Sequence, residues 1–222
     1  MNFACVCYGT KYKLEYVQKL YNMVQRHSTV LHNFYCFTDH PNPTQIIKDT
    51  HINFRKFPLF NLEGWWNKMQ LFHPGILEGD TLYMDLDVVI TDNIDCFFTY
   101  KPEADFVGMN DFNPLSGQFN SSVMRFKPEI MKDKLWQPFI DDRPKYFKMF
   151  GDQVAISDLI KKESETFPDE WTQSYKWYDR KGERYHKSTW TFEHNGESKV
   201  TIFHGSPNPH ESDKEWIKNH WN

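Results

Sequence analysis

Two aspartates, Asp85 and Asp87, stand two residues apart inside one of the most apolar runs of the chain, Leu82-Tyr83-Met84-Asp85-Leu86-Asp87-Val88-Val89-Ile90. A strand alternates faces with a period of two. Read as one strand from Thr81 to Ile90, the run turns both carboxylates to one side with Tyr83 and Val89. Leu82, Met84, Leu86 and Val88 then line the other side. Two like charges taken out of water side by side call for a cation. A divalent metal is the simplest one, and oxygen ligands suit Mg²⁺ and Mn²⁺. The alternative is one aspartate in a cap or turn and one in a salt bridge, for which an apolar strand is a poor setting. His204-Gly205 closes another apolar run, Thr201-Ile202-Phe203. Imidazole serves as a third ligand for Mn²⁺, and two carboxylates with one imidazole leave positions open for a diphosphate. A histidine after a strand is otherwise a hydrogen-bonded loop residue. Its pairing with the Asp-x-Asp run favours the ligand.

The elements that must place these groups are legible from hydrophobic spacing. Phe3 to Tyr8 reads as a buried strand ending at Gly9. Val17, Leu20, Tyr21 and Val24 recur at helical spacing within a helix from about Tyr12 to His27. Asn33 to Phe37 is a second strand, closed by the turn Thr38-Asp39-His40-Pro41, and residues 52–60 make a weaker one. Gly64 opens a helix through Trp65, Met69 and Phe72, stopped by Pro74-Gly75. Short strands follow at Phe106 to Met109 and Ser122 to Phe126, a helix at Asp152 to Lys161, and a late strand at Val200 to Phe203. Strands alternating with helices predict an α/β fold with a mostly parallel central sheet flanked by helices. Ligands of such sheets bind beyond the carboxyl ends of the strands, where Tyr8-Gly9-Thr10, the aspartate pair and His204-Gly205 all fall.

At this point the residues resemble a known family. Lys68-Met69-Gln70-Leu71-Phe72, Leu82 to Val88 and Asn93-Ile94-Asp95 look like the central block of the family 8, glycogenin-like retaining glycosyltransferases. Phe119-Asn120-Ser121-Ser122-Val123-Met124 resembles their Phe-Asn-(Ser/Ala)-Gly-Val block, and Gly151-Asp152-Gln153 their Asp-Gln block. His204-Gly205 with Pro207 and Pro209 resembles their C-terminal motif. The blocks occur in family order over about residues 3–210, with the closest likeness to a small bacterial and phage branch.

The resemblance implies a GT-A fold, a nucleotide-sugar donor such as a UDP-hexose, Mn²⁺ (or Mg²⁺), and transfer with retention at the anomeric carbon. Asp85, Asp87 and His204 match the metal ligands, and Lys68 a basic residue near the donor phosphates or sugar. Cys7, Tyr8, Gly9 and Tyr12 fall where the family holds the nucleoside. Asn120, Ser121, Asp152 and Gln153 fall at the donor sugar and reaction centre, and Gly205 follows the histidine. Asp152 also reads as the N-cap of its helix, a role Asp favours. Two departures stand out. Ser206 and Asn208 lie where the family offers a lysine to the diphosphate, and Ser122 replaces a glycine.

Composition bounds the rest. The 222 residues suffice for one sizeable core. We read 1–222 as a single GT-A-like domain, with 161–222 a polar, Trp-rich C-terminal elaboration closing the site. A net charge of −4 argues against a nucleic-acid partner. No run approaches the roughly 20 apolar residues of a transmembrane segment, and the N-terminus lacks a signal-peptide pattern. Cys5, Cys7, Cys36 and Cys96, each in or beside a strand-like run, read as reduced, buried thiols of a cytoplasmic protein. Aromatic residues reach 17% with 8 Trp. Aromatic planes pack against the C–H faces of sugars, but for each of Trp171, Trp177, Trp190, Trp216 and Trp221 the favoured reading is a pin that holds a polar C-terminal region to the core. The acceptor, glycan or protein, is not named by the sequence. Two other functions compete: a non-catalytic carbohydrate-binding protein on the same scaffold, and a haloacid-dehalogenase-type phosphohydrolase. In the second, Asp85 would be the nucleophile and Asp87 the acid/base.

Overall fold

The computed structural model describes residues 1–48, 50–113, 115–160, 164–176 and 193–222. Trp177, Trp190 and the expected last helical residue, Lys161, lie outside the described residues. Among the described residues, ten strands form two sheets. The large sheet holds β1 (Asn2–Cys7), β2 (Asn33–Thr38), β3 (Ile52–Arg55), β4 (Thr81–Met84), β6 (Phe106–Asn110), β7 (Phe119–Phe126) and β8 (Glu165–Thr166). The small sheet holds β5 (Val88–Ile90), β9 (Thr172–Ser174) and β10 (Val200–Ile202).

The large sheet runs β3-β2-β1-β4-β7-β6-β8. Its strands β3, β2, β1 and β4 are parallel, and β7 lies antiparallel between β4 and β6. This is the α/β architecture with a mostly parallel sheet that the strand–helix alternation predicts. Alternation also sorts the core. Phe3, Cys5 and Cys7 of β1 and Leu82 and Met84 of β4 pack with the helix Leu14–His27 on one face. Ala4 and Tyr83 pack with Met69, Phe72, Met124 and Phe126 on the other.

The chain leaves β1 towards β2 on one side and returns at β4 on the other. A crevice opens where strand order reverses in this way, beyond the carboxyl ends of the two strands. The segments after β1 and after β4 therefore face one another.

The Asp-x-Asp run is not one strand. The backbone N–H of Asp85 donates to the Ser122 carbonyl at 2.9 Å, the last rung between β4 and β7. The chain then turns through Leu86-Asp87 and enters a different sheet, where β5 pairs antiparallel with β10. The alternation holds through Asp85 and Leu86 and fails beyond them, since Val88, Val89 and Ile90 all join one cluster. Two short strands of separate sheets, abutting in sequence, imitate a single long one.

Other expectations shift in smaller ways. Gly64–Phe72 is a 3₁₀ helix rather than an α-helix. Side-chain amides hold that geometry: Asn67 donates to the carbonyls of Leu62 and Gly64, and Gln70 exchanges two bonds with the backbone of Leu59. Residues 52–60 pair only over Ile52–Arg55. Cys96 lies half-buried in the short helix Asp95–Thr99 rather than in a strand, while Cys5, Cys7 and Cys36 are buried, and all four are free thiols. Trp171, Trp216 and Trp221 act as pins, against Phe97, Tyr175 and Tyr16 respectively.

Candidate active site

A cavity of about 950 Å³ opens at the switch point. The segment after β1 contributes Tyr8, Lys11 and Tyr12, and the turn after β4 contributes Asp85, Leu86 and Asp87. Asn120, Ser121 and Ser122 come from the start of β7, Asp152 and Gln153 from the start of the helix Asp152–Ile160, and His204 and Gly205 from the segment after β10.

Lys68 is the centre of the polar floor. Its ammonium lies 3.0 Å from Asp85 Oδ1 and 3.0 Å from Asp152 Oδ2. It also donates to Ser121 Oγ at 2.9 Å, and that hydroxyl donates to Asp152 Oδ2 at 2.8 Å. Burial alone would lower the Lys68 pKa, but the charges of Asp152 and Asp85 outweigh it and raise it. Lys68 is thus held as a cation beneath the cavity. The Asp152 side chain faces Lys68 and Ser121 instead of capping its own helix. Tyr83 donates to Asp85 Oδ1 at 2.6 Å, so these two side chains share a side, as the alternation predicts. Gln153 Oε1 accepts from the Ser121 N–H at 3.4 Å, and Asn120 Oδ1 from the Ser122 N–H at 2.9 Å.

Asp87 is buried, and Tyr12 donates to its Oδ2 at 2.8 Å. Burial and the neighbouring Asp85 charge raise its pKa. It has no ion pair among the described residues. The Tyr12 phenol is pushed up in turn, by burial and by Asp87.

His204 follows Phe203, whose N–H donates to the Asp87 carbonyl at 3.1 Å. Its ring stacks on Phe112, and its Nε2 shares a hydrogen with Ser174 Oγ at 2.6 Å. Burial, with Lys176 nearby, lowers its pKa to about 3, which keeps the imidazole neutral, the form that ligates metals.

The structure therefore brings Asp85, Asp87 and His204 to one cavity but not to one point. Among the described residues, no three His, Cys, Asp or Glu side chains are grouped so as to hold a metal ion. Each of the three is turned to a protein partner: Lys68 and Tyr83, Tyr12, and Ser174. The donor set still fits a hard divalent cation, because among the described residues Asp87 is a buried carboxylate without an ion pair and His204 is neutral.

Cys7 and Gly9 are not brought to this cavity. They line a neighbouring hollow of about 680 Å³ that shares only Tyr12 with it. Cys7 points its thiol at the Tyr12 carbonyl, and the Gly9 N–H donates to both oxygens of Asp39 at 3.1 Å. A strand's alternation sends Cys7 into the core while its neighbour Tyr8 faces the cavity.

Sequence reasoning missed Lys11, Lys176, Trp65 and Phe150. Lys11 lines the cavity, and Lys176 donates to the His204 carbonyl at 3.2 Å and feels the charge of Asp87. The one available signal was the position of Lys11 in the segment after the first strand.

No protein-family model matches the chain. No curated protein matches it by sequence either. Solved structures do match. An active-site mutant of LgtC superposes with a TM-score of 0.71 at 12% identity, over 99% of this chain and 93% of that one. LgtC is a galactosyltransferase also solved with donor and acceptor sugar analogues. That complex gives a TM-score of 0.65 at 12% identity, over 100% and 97%. The apo form of the glycosyltransferase GlyE from Streptococcus pneumoniae TIGR4 gives 0.71 at 15% identity, over 98% of this chain and 62% of that one.

The fold is that of the GT-A glycosyltransferases.

The GT-A fold agrees with the family resemblance carried by the sequence blocks. Among the described residues, no helix is long and apolar enough to cross a membrane.

Proposed function

We propose that the chain is a retaining glycosyltransferase that moves a hexose from a nucleotide-sugar donor, UDP-glucose or UDP-galactose, to an acceptor hydroxyl. One observation carries this reading. The Asp85-Leu86-Asp87 turn opens on a large cavity at the switch point of a GT-A fold, with Lys68 and Asp152 paired on its wall. Asp85, Asp87 and His204 would hold Mn²⁺ or Mg²⁺, which when bound supplies Lewis-acid stabilisation of the leaving diphosphate.

The protein's own groups do the rest. Lys68 places a second positive charge beneath the departing phosphates. Lys11 and Lys176, near Asp87, are the cations that offset the missing lysine at Ser206 and Asn208. Tyr8 and Tyr12 are assigned to the nucleoside. Asn120, Ser121 and Gln153 orient the donor sugar, and Asp152 stabilises positive charge developing at the anomeric carbon. The whole chain acts as one GT-A-like unit, with the segment around His204 closing the site. Its four free cysteines support a reducing compartment, the cytoplasm, as part of this reading.

A panel of nucleotide sugars incubated with the protein and Mn²⁺ tests the reading. Release of nucleoside diphosphate from one donor, lost on chelation with EDTA, is the expected result. No release from any donor would refute it.

A further inference from the structure

Two aromatic side chains on the cavity wall are left largely uncovered: Trp65, 61% exposed, and Phe150, 97% exposed. A single exposed ring is ordinary. Here two rings line one cavity, and each sits at a glycine corner. Gly64, with φ 53°, precedes Trp65, and Gly151, with φ 122°, follows Phe150. The two corners touch. A Cβ built on Gly151 would stand 3.4 Å from Trp65 Nε1 and 3.6 Å from its Cε2. The indole of Trp65 thus lies within van der Waals reach of the Gly151 corner beside Phe150. Trp65 has no aromatic partner among the described residues, unlike its neighbour Trp66, which packs on Phe139 and Phe147.

Polar groups complete the surroundings. Gln153 follows two residues after Gly151, and the amides of Asn113 and Gln118 line the same cavity. A pyranose ring offers an apolar C–H face to an aromatic plane and hydroxyls to amides at its rim. A docking face for a protein substrate is built otherwise, with a contiguous apolar core within an interface of many hundreds of Å². Two rings interrupted by Gly64, Gly151 and Gln153 do not make one.

We propose that Trp65 and Phe150 form the acceptor platform, and that the acceptor is a saccharide. This rests on the glycosyltransferase reading above. The acceptor hydroxyl oxygen forms the new bond to the anomeric carbon. The bond to the diphosphate breaks with its electron pair on the phosphate oxygen, and the hydroxyl proton leaves with the diphosphate. The rings hold the acceptor in place and take no part in bond exchange.

The test uses the full chain, Mn²⁺ and the donor found in the panel. The acceptor probes are methyl α- and β-hexosides, lactose, maltose and hydroxyl-bearing peptides. Acceptor and donor KM are measured for the parent protein, Trp65→Ala, Phe150→Ala and Trp65→Phe. The expected result is transfer to a saccharide. Acceptor KM should rise about tenfold in each alanine variant, against less than about threefold for donor KM. Trp65→Phe should restore most of the loss. Transfer to peptides alone overturns the proposal, as does an acceptor KM unmoved by both alanine variants. So does a donor KM that rises in parallel, or a saccharide panel that neither takes up sugar nor alters donor hydrolysis at millimolar concentration. Failure of the parent protein to hydrolyse any donor without acceptor would instead remove the transferase reading itself.

Discussion

The ammonium of Lys68 and a carboxylate oxygen of Asp152 stand 3.0 Å apart, with less than a tenth of either side chain open to water. They are joined by Ser121, whose hydroxyl accepts from Lys68 and donates to Asp152. Removing one member of such a pair leaves a buried charge alone, at a cost of about 3–5 kcal/mol. Lys68→Ala and Asp152→Ala should each lower stability by about that amount in urea unfolding. The double variant should cost at least about 1 kcal/mol less than the sum. Simple additivity would show that the pair is not coupled.

Asp87 is the buried carboxylate with no ion pair among the described residues. Asp87→Ala should abolish the Mn²⁺-dependent part of nucleotide binding, read by calorimetry with UDP in the presence and absence of the metal. Equal Mn²⁺ dependence in parent and variant would take Asp87 out of the metal site.

Asp152→Asn keeps the shape of the side chain and removes its charge. Turnover should fall at least about a hundredfold with UDP affinity changed little, because the loss falls on the transition state. Proton NMR of the first-formed product should show retention. Inversion would defeat the retaining reading, and a parallel loss of UDP affinity would move Asp152 away from the reaction centre.

Alkaline stability follows from Cys7. Burial, then Cys36 and Asp39, pushes its thiol up from 9.0 to about 12. Above about pH 9 the unfolded chain gives up this proton while the folded chain keeps it until about pH 12. Stability from this group is full below pH 9 and falls through that window, by at most about 1.4 kcal/mol per pH unit. Cys7→Ala should flatten the decline in urea midpoints between about pH 8 and about pH 11. An identical slope in the variant would show that Cys7 does not titrate differently on folding.

Much of this was readable from local pattern. β1, β2 and the helix Leu14–His27 carry clean periodicities, and Asp85, Asp87, Asp152 and His204 stood out as polar groups beside apolar runs. What escaped was set by tertiary placement. Nothing local distinguishes the run from Thr81 to Ile90 from one strand, because Leu86 is as apolar as a strand residue and β5 differs from β4 only in its partners. Position along the chain groups Cys7 and Gly9 with Tyr8, yet neighbouring strand residues face opposite ways. The partners of Lys68 lie at Asp85, Ser121 and Asp152, separations that no window along the chain spans. Exposure of Trp65 and partial burial of Trp66 likewise depend on which side of a 3₁₀ helix meets Phe139.

The turn that carries the two aspartates is secured late. β5 pairs Val88 with Ile202 and Ile90 with Val200, and the Asp87 carbonyl is bonded by Phe203. These partners lie more than a hundred positions downstream. A chain emerging from the ribosome can assemble β1, β2, β3 and β4 well before it exposes them, since domains fold as synthesis proceeds. Until residues 200–203 arrive, Asp87 lies in a turn that leads into an unpaired segment. The turn bearing the two aspartates is therefore among the later parts of the fold to be secured, and a ribosome stalled before residue 203 carries a nascent sheet with that turn still unpinned.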